Sequence, residues 1–366
     1  MTQPDLVAHP PVHTYNEWDP LEEVIVGRLE GATIPTSHVT FDGNLPPIAR
    51  RLYRPLAGRK YPRTLVKRAQ RELDQLVSVI EQAGVRVRRP DVVDFSVPCS
   101  TPNWKSKGFC IASPRDGLIV VGDEIIETPM AWRSRQFEMR AYKTLLKEYF
   151  EQGARWTAAP RPQLLDSLYA GPDFKPSRKG EPVRYIINES ELVFDAADFA
   201  RCGRDLFVTR SNVTNRIGID WMRRHLGDDF TIHEIESLCP QPMHIDTTFV
   251  PLAPGKVLVN PEYIDTSRLP SILGAWDVLV APEPDPIPGF LNVHLSLVSK
   301  WIAMNVFMLD EKHVIVEESQ TGMHKLLRDH GFEPVPTPFM NYKLFGGGFH
   351  CATLDIRRRG TLQSYF

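Results

Sequence analysis

Residues 206–227 read LFVTRSNVTNRIGIDWMRRHLG, and this stretch contains the pattern on which the fold is built. Leu206, Phe207 and Val208 form a short apolar run of the kind found in buried strands. From Asn215 to Leu226, apolar residues recur at helical spacing and stop before a glycine. The stretch therefore predicts one strand followed by one helix.

Similar strands and helices recur along the chain. Further strands are predicted at residues 23–26, 118–121, 256–259 and 313–316, and further helices at 64–82, 140–152 and 320–330. About five strand-and-helix units are compatible with a pseudo-symmetric α/β ring. An ordinary doubly wound sheet is the alternative that this pattern leaves open.

Composition narrows the class of protein. The chain has 366 residues, 42% of them hydrophobic, with a formal net charge of −2. This allows a sizeable core and gives no bulk attraction to nucleic acid or anionic membranes. No apolar run approaches the roughly 20 residues that span a bilayer, and residues 1–11 do not resemble a secretory signal. We expect a cytoplasmic protein with one domain over residues 1–366 and no disordered linker.

The cysteines suggest one candidate nucleophile. No C-x-x-C pair occurs, so a zinc ribbon, a thioredoxin-like motif and a disulfide framework are not expected. For most cysteines the default interpretation is a buried small hydrophobic residue. Cys351 differs because it follows three glycines, Gly346 to Gly348, which free the backbone to present a thiol at the mouth of a cavity. The four cysteines given the default interpretation are Cys99, Cys110, Cys202 and Cys239.

Four short stretches place acids or histidine where strands meet turns. They are residues 114–116 with Asp116, 194–198 with Asp195 and Asp198, 243–246 with His244 and Asp246, and 349–351 with Cys351. Singly, each acid could be a turn residue or a helix cap, and the histidine could be a satisfied core residue. A metal site is not expected, because no further ligand lies at metal-binding spacing.

Together these residues suit cysteine chemistry on a guanidinium. Two carboxylates can hold the planar cation through charge-assisted hydrogen bonds while the thiolate attacks its central carbon. His244 would donate a proton to the departing amine and later take one from the incoming nucleophile. Asp246 would orient and charge this histidine.

Read as a set, the motifs resemble those of the amidinotransferases of the arginine:glycine type. The resemblance covers nearly the whole chain, and the C-terminal motif with Cys351 is the most specific. The matching stretches are residues 16–24, 114–116, 127–135, 194–198, 221–226, 243–246, 299–301, 346–351 and 355–360.

The resemblance implies a fold and an activity. The fold would be a five-fold pseudo-symmetric α/β propeller of the pentein type, with the active site in a central channel. The activity would be transfer of the amidino group of L-arginine to an acceptor amine, with release of ornithine. A homodimer is implied, and no metal or organic cofactor is.

The resemblance also implies roles for single residues. Cys351 matches the nucleophile that forms an amidino-cysteine intermediate, and His244 matches the general acid and base. Asp195 and Asp116 match the acids that engage the guanidinium.

Further positions match residues that line the family's site. Asp246 matches the acid beside the histidine, and Ser299 matches a serine of the site. Met243, before the histidine, matches the glycine-type enzymes rather than the inosamine-phosphate type.

The chain departs from the family on the substrate side. Tyr263 stands where we expect an arginine that holds the donor's carboxylate, and a tyrosine offers one neutral hydrogen bond in place of a charged fork. Arg268 is a possible replacement. Val298 stands where glycine-type enzymes tend to have a second serine, and residues 290–297 are unusually apolar.

Two other functions are compatible with the same residues. A guanidine hydrolase related to arginine deiminase would use Cys351 with water as the acceptor. A binding protein that keeps the fold would need none of the site residues, so their joint presence argues against it. Because acids surround it, we expect Cys351 to be a thiol in the free protein.

Overall fold

The computed structural model describes residues 10–45, 47–171, 173–287 and 296–366, whose strands form small separate sheets. Within these residues, five sheets have three strands each and a sixth has two. In every three-stranded sheet the central strand pairs antiparallel with one neighbour and parallel with the other. The repeated unit is therefore a mixed sheet, not a simple hairpin.

The strands of each sheet are given in their spatial order, so that the second one named is the central strand. Sheet 1 contains Thr353–Arg358, Leu21–Val26 and Arg86–Arg88; sheet 2 contains Leu118–Val121, Glu124–Glu127 and Arg155–Ala158; sheet 3 contains Phe199–Cys202, Asp205–Val208 and Thr231–Glu234; sheet 4 contains Phe249–Ala253, Lys256–Val259 and Asp277–Val280; sheet 5 contains Phe307–Met308, His313–Glu317 and Glu333–Thr337. The two-stranded sheet pairs Cys99–Ser100 with Lys105–Ser106.

Parallel strands need a crossover connection, and in four of the five three-stranded sheets it contains an α-helix. The described α-helices are Val39–Asp42, Pro47–Tyr53, Arg63–Gln82, Pro114–Gly117, Lys143–Glu151, Arg216–Leu226, Thr321–Asp329 and Phe349–Ala352. The 3₁₀ turns are Arg54–Leu56, Glu138–Tyr142, Asp166–Leu168, Ala196–Asp198, Gly227–Asp229, Ile245–Thr247, Thr266–Arg268, Ser271–Ala275, Lys300–Met304 and Tyr342–Phe345.

The α/β class predicted from the sequence is confirmed, and so are all five predicted strands. The doubly wound alternative is wrong, because the described strands do not join into one continuous sheet. The predicted helix at 140–152 begins later, at Lys143, after a 3₁₀ turn. In sheet 4 the crossover, all of whose residues are described, consists of two 3₁₀ turns instead of an α-helix.

Sheet 1 joins two distant parts of the chain. Its central strand, Leu21–Val26, pairs antiparallel with Thr353–Arg358 and parallel with Arg86–Arg88. The strand that follows Cys351 is thereby fixed to the first strand of the chain.

A buried ion network connects sheet 1 to sheets 2 and 3. The Asp355 carboxylate accepts hydrogen bonds from Arg115 Nη2 at 2.6 Å, Arg201 Nη2 at 2.7 Å and Arg358 Nε at 2.8 Å. Glu17 accepts from Arg201 Nη2 at 2.8 Å. Burial opposes the charged form of Asp355, yet Arg201 and Arg115 outweigh it and hold the pKa of this carboxyl well below its usual range.

Two stretches interpreted from the sequence lie mostly outside the described residues. Of the N-terminal stretch 1–11, which does not resemble a secretory signal, residues 1–9 are not described. Of the apolar segment 290–297, residues 290–295 are not described. Among the described helices, none is both long enough and apolar enough to cross a membrane.

Candidate active site

Short helical turns stand directly before the first strand of each unit, and the candidate site residues lie on them. The turns are Pro114–Gly117 with Asp116, Ala196–Asp198 preceded by Asp195, Ile245–Thr247 with Asp246, Lys300–Met304 followed by Asn305, and Phe349–Ala352 with Cys351. The first turn contacts the second and the last, and the third contacts the second and the fourth. The fold thus gathers side chains from all five units at one place.

The Cys351 thiol is buried and lies between an amide and a carboxylate. Its Sγ accepts a hydrogen bond from Asn305 Nδ2 at 3.2 Å and donates one to Asp246 Oδ2 at 3.3 Å. Only 3% of the residue is exposed, so the expectation of a thiol presented at a cavity mouth is wrong. Burial, followed by the negative charge of Asp246, raises the pKa of the thiol to about 12.

The glycine run brings the chain close to Asn305. Gly346 has φ +88°, a left-handed conformation that favours glycine. A Cβ on Gly348 would lie 2.6 Å from Asn305 Oδ1, which leaves no room for any side chain. The same Oδ1 accepts hydrogen bonds from the backbone N–H groups of His350 at 2.8 Å and Cys351 at 3.3 Å. The glycines therefore allow Asn305 to hold both the backbone and the sulfur of the nucleophile.

His244 lies between two carboxylates. Its Nε2 is 3.2 Å from Asp195 Oδ2, and its Nδ1 is 3.7 Å from Asp116 Oδ1. Burial opposes a charged imidazole, but Asp116 and Asp195 outweigh it and raise the pKa of His244 well above its usual value. The residue has φ +62°, rare for a side chain with a Cβ, and strain of this kind concentrates at functional sites. The two carboxylates thus favour a protonated imidazole beside the thiol.

The structure corrects the role predicted for Asp246. We expected this acid to orient His244, but its Oδ2 is hydrogen-bonded to His350 Nδ1 at 3.1 Å and to the Cys351 thiol. The other ring nitrogen of His350, Nε2, lies 3.3 Å from Glu17 Oε2. Asp246 therefore connects the nucleophile to a second histidine, because the positions on either side of His244 are taken by other acids.

Asp116 and Asp195 each keep one oxygen available. Asp116 Oδ2 accepts from Arg135 Nη1 at 2.7 Å, and Arg135 is also paired with Glu138 at 2.8 Å. The Oδ1 atoms of Asp116 and Asp195 are buried and have no hydrogen-bond partner among the described residues. Burial raises the pKa of Asp116, against the opposing charges of His244 and Arg135. The N–H groups of a guanidinium are the hydrogen-bond donors that these two oxygens lack.

Three of the residues predicted to bind substrate line one cavity of about 770 Å³: Met243, Tyr263 and Ser299. Val298 lines it as well. Arg268 does not line it, and its predicted role is wrong: its Nη2 pairs with Glu236 Oε2 at 2.6 Å on the surface, where both side chains are more than half exposed. Met243, which lines this cavity, directly precedes His244 in the chain.

One group among the described residues has the spacing of a metal site. Asp116, His244 and Cys351 place possible ligand atoms within 4.8 Å of one another. A metal would need a neutral imidazole and a thiolate. The two carboxylates instead favour a protonated His244, and burial favours a protonated thiol. These residues therefore fit proton transfer better than metal binding.

Asn305, His350 and Arg135 are site residues that sequence reasoning missed. His350 and Arg135 lie within the stretches 346–351 and 127–135 but were given no role, and an asparagine between Met304 and Val306 looks like part of the core. For Asn305 the available signal was positional, because it directly follows the helical turn of the fifth unit, while the acids lie on or directly before the corresponding turns.

Comparisons with known proteins agree with this site. No protein-family model matches the chain. The L-arginine:L-lysine amidinotransferase of Pseudomonas savastanoi pv. phaseolicola is 47% identical over 358 residues, which cover 97% of this chain and 96% of that protein. The mitochondrial glycine amidinotransferase of Gallus gallus is 46% identical over 363 residues, which cover 97% of this chain and 85% of that protein.

A solved structure gives the same result. SxtG, an amidinotransferase of Microseira wollei in the saxitoxin biosynthetic pathway, superimposes with a TM-score of 0.93 at 53% identity, covering 97% of this chain and all of that one. Identity at this level over nearly the full length, together with the cluster around Cys351, leads to one conclusion. The chain belongs to the amidinotransferases, enzymes that transfer amidino groups.

Proposed function

We propose that this enzyme transfers the amidino group of L-arginine to a primary amine through an amidino-cysteine at Cys351, releasing ornithine. The observation that supports it best is the arrangement around His244. His244, whose pKa is raised, lies beside a buried thiol and between two carboxylates that each have an oxygen without a hydrogen bond among the described residues. A guanidinium fits this arrangement because it supplies both positive charge and N–H donors.

In the first half-reaction the cation itself prepares the nucleophile. Its charge lowers the pKa of Cys351, and the thiol releases its proton to solvent as the cation binds. The thiolate then bonds to the guanidinium carbon. As the bond from this carbon to arginine Nε breaks, His244 gives its proton to that nitrogen, and ornithine leaves.

In the second half-reaction a neutral acceptor amine attacks the amidinium carbon. The carbon–sulfur bond breaks, and His244 takes one proton from the amine. The products are the guanidino compound and a Cys351 thiolate, which takes up a proton from solvent once the cationic product has left. Atoms and charge balance without an oxidant or cofactor.

The acceptor class follows from the relatives and the cavity. One relative is named for lysine and another for glycine, and both acceptors are primary amines. The cavity lined by Met243, Tyr263 and Ser299 is large enough for either.

The test is incubation with arginine and each amine in turn, with ornithine and guanidino products followed by mass spectrometry. The control protein carries Cys351→Ala. We expect ornithine in a one-to-one ratio with a guanidino product, and neither with the control. Citrulline formed from arginine alone would instead show that water is the acceptor, as in a hydrolase.

We further propose that the five sheets are arranged as a five-fold pseudo-symmetric propeller in one domain over residues 1–366. The repeated sheet topology and the contacts between the turns support this arrangement. A homodimer and a cytoplasmic location also stay predictions, to be checked by light scattering and by cell fractionation.

A further inference from the structure

The charged residues of the substrate cavity all have the same sign. Eighteen of the described residues line it; Arg50 and Lys175 are the cations among these eighteen, and none of them is an acid. The catalytic cluster, by contrast, is rich in carboxylates. A ligand that fills both places would meet negative charge at one end and positive charge at the other.

Arg50 has no partner among the described residues. It lies on the helix Pro47–Tyr53 and is partly buried, and its Nε is fully buried without a hydrogen bond. The buried arginines Arg115, Arg135 and Arg201 are all paired with carboxylates. A buried N–H without an acceptor is costly, and a bound anion would satisfy it.

The position of Tyr263 makes this cation significant. Tyr263 and Arg50 line the same cavity, whereas Arg268 points away from it to Glu236. An arginine was expected at position 263, where Tyr263 stands. Its positive charge is therefore available from Arg50, on another segment of the chain. Lys175 adds a second cation, exposed and without an ion pair among the described residues.

We propose that Arg50, assisted by Lys175, is the subsite for the α-carboxylate of the amino-acid substrates. This rests on the proposed function, in which the donor's guanidinium lies at Cys351. Because the acceptor amine must take the place that the amine of ornithine vacates, the same cations serve the carboxylate of an acceptor of similar length, such as lysine. The subsite selects amino acids over decarboxylated amines.

The experiment compares substrates that differ only in the carboxylate. Donors are arginine and agmatine, and acceptors are lysine and cadaverine. In Arg50→Gln we expect kcat/KM to fall about 10- to 100-fold for arginine and for lysine, the loss of one charged hydrogen bond. Agmatine and cadaverine should be nearly unaffected. Lys175→Gln should show a smaller loss with the same selectivity.

Matched controls are Arg51→Gln and Arg54→Gln. Both arginines share an outer surface pocket with Arg50 but do not line the cavity. A larger loss for arginine than for agmatine, or for lysine than for cadaverine, supports the subsite and identifies the substrate whose carboxylate it binds. The proposal would be overturned if the losses were equal within both pairs, or if there were no loss.

Two further measurements keep the test decisive. Arg50→Lys keeps the charge and should recover part of the selectivity if Arg50→Gln folds poorly. Binding to the Cys351→Ala protein by calorimetry needs no turnover: arginine should bind more tightly than agmatine, and Arg50→Gln should remove the difference. If the wild type makes no ornithine, the proposed function fails, while calorimetry still decides the subsite.

Discussion

Asn305 binds Cys351 twice, with its Nδ2 donating to Sγ at 3.2 Å and its Oδ1 accepting from the backbone N–H at 3.3 Å. The amide thereby fixes the position of the sulfur and offers a hydrogen bond to the negative charge of a thiolate. An asparagine in this position stabilises the thiolate form of Cys351 and is itself unchanged by the reaction.

Replacing this amide should slow the chemical step. Asn305→Ala removes the preorganised donor, and we expect kcat to fall on the order of 10²-fold with a smaller change in KM. Asn305→Asp keeps the oxygen for the backbone but puts a negative charge beside the sulfur, so it should not restore kcat. Steady-state kinetics measures both variants, and a kcat unchanged in Asn305→Ala would contradict a role for the amide.

The thiol should be unreactive in the free protein. With a pKa raised to about 12 by burial and Asp246, Cys351 is protonated across the neutral range. Alkylation by iodoacetamide, with the modified cysteine located by mass spectrometry, should be slow at pH 7 and should rise with pH up to the limit of folding. Rapid alkylation of Cys351 at pH 6 without substrate would show a thiolate already present.

His244 should be charged in the free enzyme at neutral pH. Its raised pKa stabilises the folded state below the ordinary histidine pKa near 6.5, and this contribution is lost as pH rises through the folded pKa. Asp116→Asn removes a favourable neighbouring charge and should lower the pKa of His244 in a nitrogen-detected NMR titration. Glu22→Gln is the control, since Glu22 pairs with Arg357 and Arg359. A neutral His244 at pH 7 in the wild type would refute this.

A methyl group at the third glycine should disturb the nucleophile. In Gly348→Ala the new Cβ would meet Asn305 Oδ1 at 2.6 Å, so the amide or the turn must move. We expect loss of activity and about 1–3 kcal/mol lower stability in urea denaturation. In Gly274→Ala the new Cβ would meet no described heavy atom within 4 Å. That control should stay within about 0.5 kcal/mol of the wild type.

The buried ion network should control acid stability. Asp355→Asn leaves three arginines short of a negative charge, and we expect a loss of about 3–5 kcal/mol in the free energy of unfolding. The matched control is Asp94→Asn, which breaks an exposed pair with Lys60 and should cost less than about 1 kcal/mol.

The pH dependence of that stability has a definite sign. Because the folded pKa of Asp355 is depressed, its contribution is present above the unfolded value near 4 and is lost as pH falls below it. The wild type should therefore lose stability more steeply than Asp355→Asn as the pH falls from about 4 towards 2. Parallel curves in urea denaturation at successive pH values would show that the network does not control the acid transition.

Much of the fold was predictable because its central strands are short apolar runs. Lys256–Val259 has the predicted bounds, since a glycine precedes it and an Asn-Pro turn follows. Edge strands were harder to recognise. Glu333–Thr337 contains Pro334 and Pro336, which do not suit a central strand but are tolerated at an edge, where one side needs no partner.

The site was predictable where chemistry is local in sequence. A cysteine after three glycines and a histidine two residues before an acid can be recognised without a structure. The partner of Asp246 could not be, because two histidines are candidates and only the packing of the turns places it beside His350. Whether Arg268 reaches the cavity depends likewise on which way its turn faces.

The pairing in sheet 1 has a consequence for biosynthesis. Leu21–Val26 is synthesised before its antiparallel partner, Thr353–Arg358, which lies much further along the chain. At about 5–20 residues per second, one edge of that strand stays unpaired for roughly 15 to 65 s. During this interval the nascent chain has an open edge on which another chain could pair, and it lacks Cys351. The same short segment, from Cys351 to Arg358, therefore supplies the thiol of the site and covers this edge.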